Sequence, residues 1–242
     1  MNEESKKVLL AASGTNPMAT ASHGNAATGQ VSRLADAATF LRGFLVRPFE
    51  VASVVPSSAY LEDRVVQAAE LAQARCVVEL GPGTGGTTRA LLRMLAPNAR
   101  LLAIEINPDF CDRLRRAIVD PRLTVHAGTA ESLADALRLR DMPPVDVVVS
   151  GIPFSTLPSD TARRLAAAIH AHLAPGGRVV AYQCSPQVVG YFSPHLGPPR
   201  IAWEWRSLPP MRVFVWVKPA RQMNAQGSPA GVASPDLGQP VT

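Results

Sequence analysis

Residues 77–88, "VVELGPGTGGTT", join a carboxylate to a backbone built for close approach. A β-branched run reaches Glu79 and Leu80, then breaks into four glycines within six residues, from Gly81 to Gly86. Such a loop between a strand and a helix lets a ligand approach the main chain. It suits an anionic or dipolar ligand held at the helix N-terminus. The spacing Gly81-x-Gly83-x-x-Gly86 satisfies the dinucleotide fingerprint, so alone it fits a nicotinamide or another adenosine-bearing cofactor. Glu105 ends a second apolar run 24 residues after Gly81 and could accept both ribose hydroxyls of either ligand. Glu79 discriminates better. A carboxylate beside a pyrophosphate is costly, whereas beside an ammonium and a sulfonium it is favourable, directly or through water. Two later strand ends complete the set. "HAGTAESL" brings Thr129, Ala130 and Glu131 to where an adenine edge would lie, and "SGIPF" is Ser150 to Phe154.

These residues need elements to position them. "CVVEL" (76–80), "ARLLAIEI" (99–106), "LTVHAG" (123–128), "VDVVVSG" (145–151) and "GGRVVAYQC" (176–184) read as strands, and helical patterns separate them. Continuous β-branched runs interleaved with helices predict a parallel sheet covered on both faces. A helix over 59–74, capped by Ser57 or Ser58, is expected ahead of the first strand. "PRIAWEWRSLPP" and "MRVFVWVKP" leave no room for a crossover helix and predict a closing antiparallel hairpin. In an open parallel sheet, ligands bind beyond the carboxyl ends of the strands, where all four motifs sit.

The 242 residues predict one substantial domain with ragged ends, and 47% hydrophobic content is enough for its core. Residues 1–33 and 219–242 read as flexible tails, and 59–218 as the folded domain. Between them 34–58 reads as an amphipathic lid or membrane-contacting segment, with Leu41, Phe44, Leu45 and Phe49 on one side of an interrupted helix. A net charge of +5 falls short of a nucleic-acid-coating composition. Cys76, Cys111 and Cys184 are scattered, which suggests a reducing compartment without a disulfide framework, and no metal cluster is expected.

"VVELGPGTGGTT", "AIEIN", "HAGTAESL" and "VVVSGIPF" resemble the successive motifs of class I S-adenosylmethionine-dependent methyltransferases. The resemblance implies an α/β, Rossmann-like seven-stranded sheet, mostly parallel with a C-terminal antiparallel hairpin. It implies S-adenosylmethionine as cofactor, with contacts from Glu79 and the loop Gly81, Pro82, Gly83, Thr84 and Gly85. Glu105 would hold the ribose with Ile106 beside it, and Thr129, Ala130 and Glu131 would border the adenine next to Ser150. The family commonly has an acid directly after strand three, where this chain has Thr129.

"SGIPF", followed by "STLP", is similar to bacterial phospholipid N-methyltransferases, as are "FLRGFLVRPFEVASVVPSS" and "SLPPMRVFVW". Adenine and amide N-methyltransferases carry Asn or Asp where Ser150 stands, and Ser150 cannot offer their two-pronged recognition. The resemblance implies a lipid head-group amine of the phosphatidylethanolamine type as acceptor. It also implies peripheral contact with the inner face of the membrane from the cytoplasm, and no stable nucleic-acid partner. Ornithine-lipid, small-molecule and RNA adenine N-methylation stand as alternatives. Ser150, Gly151, Ile152 and Pro153 would shape the acceptor entrance, and the Phe154 ring would face the amine. Tyr60, His126 and Tyr191 are candidates to receive or orient its proton, and His195, Arg200 or Arg206 to meet a head-group phosphate.

Overall fold

The computed structural model describes residues 59–207 and 209–220. The segment 34–58, the Ser57 or Ser58 cap and most of the C-terminal tail lie outside the described residues. The seven strands are β1 (Cys76–Leu80), β2 (Arg100–Glu105), β3 (Leu123–Ala127), β4 (Val145–Ser150), β5 (Leu173–Gln183), β6 (Arg200–Glu204) and β7 (Met211–Val217). They form one sheet in the order β3-β2-β1-β4-β5-β7-β6. The first five are parallel, and β7 runs antiparallel to both β5 and β6. This is the α/β Rossmann-like sheet expected from the sequence, closing hairpin included.

Among the described residues six helices cover it: α1 (Ala59–Ala69), α2 (Gly86–Met94), α3 (Pro108–Ala117), α4 (Leu133–Arg138), α5 (Ser159–His172) and α6 (Val188–Leu196). All five residues of β1 are buried because successive side chains enter opposite layers. Val77, Val147, Val149 and Val180 pack with Leu61 and Val65 of α1 and Leu91 of α2. Val78, Leu80, Val148 and Ala181 pack with α4, α5 and α6 through Leu133, Leu165, Ile169 and Phe192.

Three boundaries depart from the sequence reading. The first helix ends at Ala69 because Glu70 turns into the left-handed region (φ 46°), with Arg178 bonded to its carboxylate at 2.7 Å, and a short 3-10 turn follows. Strand β5 begins at Leu173, opposite Val145, with a bulge before the pairing resumes at Val147 and Arg178. Residues 188–196 form a helix that the sequence reading omits. Its buried Val188, Phe192 and Leu196 recur at helical spacing, but Gly190 and Pro194 obscure the pattern.

Candidate active site

The carboxyl ends of β1, β2, β3 and β4 are tied together by main-chain hydrogen bonds from glycine. Gly81 N–H donates to the Ile104 carbonyl, Gly128 to that of Glu105 and Gly151 to that of Leu80, each at 2.9 Å. Gly81 turns out of β1 at φ 71°, where a Cβ would approach Ile152 Cγ1 to 3.2 Å. Gly85 precedes α2 at φ 84°, and a Cβ there would lie 2.5 Å from Leu114. Both positions therefore require glycine. Above Gly83 there is open space, so the loop forms a cradle with main-chain groups on its floor.

Glu105 organises this cradle. Its Oε2 accepts from Gly83 N–H at 3.0 Å and its Oε1 from Asn107 N–H at 2.9 Å. Each carboxylate oxygen keeps a further lone pair for a ligand hydroxyl. Burial pushes its pKa up, opposed by those main-chain donors. Ile106 follows half-buried.

Glu79 is fully enclosed under the loop. The Thr88 hydroxyl donates to its Oε2 at 2.7 Å, and its Oε1 has no hydrogen-bond partner. Burial pushes this carboxyl up to about 8, and the nearby Glu105 and Glu62 push the same way. An orphaned buried oxygen next to an open glycine cradle is what a ligand bearing positive charge would satisfy. The residues present thus fit S-adenosylmethionine. The Gly81–Gly85 loop would take its amino-acid part, Glu105 its ribose, and Glu79 would answer its charge. A pyrophosphate would meet acid groups instead.

The adenine side departs from expectation. Thr129 caps a 3-10 turn over Ala130–Ser132, and its carbonyl accepts from the Ser132 hydroxyl at 2.6 Å. Ala130 packs on the core. The Glu131 carboxylate turns outward to Arg164 of α5 at 3.0 Å, an ion pair that competes with any adenine contact.

At the acceptor side, Ser150 is buried and its Oγ accepts from Ile152 N–H at 3.4 Å. Gly151, Ile152 and Pro153 are half-buried beyond it. Phe154 corrects an expectation. Its ring is 0% exposed, packed edge-on to Phe192 at 5.3 Å, with its N–H held by Gln183 Oε1 at 3.1 Å. Phe154 opens a 3-10 turn over Phe154–Thr156, and its packing on Phe192 holds the ring in the core beneath the loop, so it does not face an amine.

Other sequence candidates are dispersed. Tyr60 opens α1, with the Arg206 guanidinium 4.2 Å over its ring. His126 has both ring nitrogens engaged, Nε2 by Ser132 at 3.0 Å and Nδ1 by Arg140 at 3.3 Å, and burial lowers its pKa. Tyr191 packs beside Phe154. His195 lies in the last turn of α6, stacked on His170 at 5.5 Å. His170 precedes β5, so this pair sits at the opposite end of the sheet from the cradle.

Three residues absent from the sequence reading converge here instead. A Cβ on Gly151 would lie 2.5 Å from the Tyr182 hydroxyl and 3.1 Å from the Gly81 carbonyl. That hydroxyl is also 3.4 Å from Thr87 Oγ1. Tyr182 therefore borders the passage between the cofactor loop and the β4 loop. Glu62 of α1 reaches the α2 N-terminus, where a Cβ on Gly86 would fall 2.2 Å from its Oε1, a placement the helix dipole favours. Gln183 leaves Nε2 buried without a partner. Tyr182 carried one usable signal, a polar ring at the carboxyl end of an apolar strand; Glu62 and Gln183 carried none.

Comparison with known proteins agrees with this fold. A family model described as "Methyltransferase domain" matches residues 77–177. An ornithine lipid N-methyltransferase of Singulisphaera acidiphila is 34% identical over 139 residues, covering 57% of this chain and 72% of that protein. A ribosomal RNA small subunit methyltransferase A of Parasynechococcus marenigrum is 37% identical, over only 38% of this chain and 30% of its own length. The O-methyltransferase TomG of Streptomyces achromogenes, solved with S-adenosylmethionine, shares the fold at a TM-score of 0.54 and 22% identity, covering 76% of this chain and 89% of its own. With a relative of that identity covered over most of its length, and with a cradle suited to a cationic adenosyl ligand, the chain belongs to the class I S-adenosylmethionine-dependent methyltransferases.

Proposed function

We propose that this enzyme methylates the amine of a lipid head group, and that an ornithine-lipid amine is a better acceptor than phosphatidylethanolamine. The observation carrying this reading is the 34% identity with a protein named ornithine lipid N-methyltransferase over 72% of its length. That similarity favours the ornithine-lipid alternative of the sequence reading over its phospholipid form. The matched ribosomal RNA enzyme supports RNA less, being covered over 30% of its length. Ser150 adds to this preference: its hydroxyl is engaged by Ile152 N–H and offers no paired donor and acceptor to a base edge.

Bound S-adenosylmethionine supplies a methyl group already activated by its sulfonium. The chain must bring a neutral amine to that methyl in line and exclude water. An ammonium has no lone pair, so a proton leaves first. Tyr182 is the group best disposed to orient the amine, because its hydroxyl borders Gly151 and the Gly81 carbonyl. Gly151 keeps the passage open, and Ile152, packed on the core, forms its apolar wall.

The test offers the full chain a radiolabelled methyl donor with ornithine lipid, phosphatidylethanolamine, unmodified small-subunit ribosomal RNA and a panel of small amines. Label is expected in ornithine lipid ahead of phosphatidylethanolamine. Label in RNA with both lipids unmarked overturns the reading. Label confined to soluble amines removes the lipid and keeps the methyltransferase.

A further inference from the structure

The hairpin edge of the sheet is apolar and aromatic where an edge strand is ordinarily guarded by charge. On β6, Ile201 is 52% exposed, and just beyond the strand Trp205 is 67% exposed. The Trp203 and Trp205 rings stack at 4.6 Å, and the Arg212 guanidinium lies 4.2 Å over Trp203. Ile201 and Trp203 share a sheet face because they stand two residues apart on one strand.

The register locates this group. Trp203 pairs with Arg212, and Arg212 with Gln183, the last residue of β5. Ser150 pairs with Ala181 on the other side of β5. The tryptophans therefore stand on the same rim of the sheet as the cradle and Gly151. Strand β6 is three strand spacings from β4, about 14 Å at about 4.8 Å each. Charge is one-sided too. At this rim the β6–β7 hairpin sets Arg206 and Arg212 against Glu204, whereas Arg200 bonds Glu70 at 3.5 Å and Lys218 donates to the His170 and Leu173 carbonyls at the other end of the sheet. Glu204 is shared by Arg206 at 2.8 and 3.0 Å and Arg64 at 3.5 Å, and the Arg212 guanidinium lies over Trp203, so three arginines gather beside the aromatic group.

We propose that this edge, centred on Trp203 and Trp205, rests on an anionic bilayer and holds the acceptor passage against the lipid surface. The proposal builds on the lipid-amine reading. Indole rings favour the head-group level of a membrane, where one side is apolar and the other wet. The basic flank complements an anionic leaflet. Stacking of a single-stranded nucleic acid is the competing use of exposed indoles. It is disfavoured here because Trp203 already spends its ring on Trp205 and Arg212, and Ile201 offers a base nothing polar.

The chain has three tryptophans, and Trp216 is buried against Phe192 and Phe214. Tryptophan emission of the full chain therefore reads this edge. Vesicles mixing phosphatidylglycerol with phosphatidylcholine should shift it to the blue, and brominated acyl chains should quench it. Phosphatidylcholine alone should act more weakly. Trp203→Ser with Trp205→Ser should weaken vesicle binding at least about tenfold, or about 1.4 kcal/mol, while S-adenosylmethionine still binds as in the unaltered chain. Trp205→Ser alone, at the most exposed ring, should retain a measurable part of that loss.

Vesicle binding without quenching, or undiminished binding by the double variant, overturns the proposal and assigns contact elsewhere, residues 34–58 included. Emission that is already blue-shifted and unreachable by acrylamide before vesicles are added overturns it in favour of a covering segment or a second copy. A response to oligouridylate but not to vesicles overturns it in favour of RNA. Methylation of detergent-dispersed lipid amines is scored separately. Quenching with no lipid methylated supports the surface and refutes the acceptor reading, whereas methylation without quenching does the reverse.

Discussion

Replacing Glu79 by Gln isolates the charge beneath the glycine loop. In the ligand-free protein its pKa is pushed from 4.5 to about 8, chiefly by burial. At 1.36 kcal/mol per pH unit that corresponds to about 5 kcal/mol, an upper value that relaxation and water entry reduce. Between pH 4.5 and 8 the folded chain keeps a proton that the unfolded chain has released. Stability therefore falls as pH rises through this window and levels off above it. A side-chain amide does not titrate here, so the Glu79→Gln variant should lack this slope and gain on the parent between pH 5 and pH 8, by about 2–5 kcal/mol in all. Cofactor binding runs the other way. Positive charge docking over Glu79 expels the proton, so parental affinity should rise up to about tenfold per pH unit towards 8, then flatten. The Glu79→Gln variant should show no such rise and bind more weakly at pH 8. Thermal melts from pH 5 to pH 9 read the first effect. Calorimetry with S-adenosylmethionine in two buffers of different ionisation enthalpy reads the second, as protons released per cofactor bound. Equal pH slopes in parent and variant, with no proton released on binding, would refute the reasoning.

Other substitutions test the rest of the site. Glu105→Gln should weaken S-adenosylmethionine by about 10–100-fold, since hydrogen bonds to a charged acceptor contribute about 1.5–3 kcal/mol; unchanged affinity by calorimetry would remove Glu105 from the ribose site. Gly151→Ala introduces a Cβ 2.5 Å from the Tyr182 hydroxyl. It should lower turnover by about 100-fold while cofactor affinity holds, and equal losses in both would point to loop distortion instead. Tyr182→Phe should lower kcat while cofactor affinity and the fold hold; an unchanged kcat would deny it a part in orienting the amine. Phe154→Ala should cost about 3–5 kcal/mol of stability in denaturant titrations. A stable variant with impaired turnover would return that ring to the acceptor.

The sequence alone determined what depends on neighbours a few residues apart. Continuous β-branched runs, the glycine loop after Glu79 and the Pro-rich turn before Met211 are local patterns. They sufficed for the strands, their carboxyl-end loops and the closing hairpin. Glu105 was legible because an acid ending a strand after a glycine loop is itself a local signal. Tertiary structure decided the rest, because the order β3-β2-β1-β4-β5-β7-β6 makes neighbours of residues far apart in the chain. Only that order brings Tyr182 beside Gly151 and Glu62 to the start of α2. Phe154 illustrates the limit most plainly. Its place after Ser-Gly-Ile-Pro fixes the loop but not the side on which the ring packs, and Phe192, from a helix interrupted by glycine and proline, drew it into the core. Trp203 and Trp205 read equally well as core or surface in sequence. They are exposed because β6 is the last strand of the sheet, with no strand beyond it among the described residues.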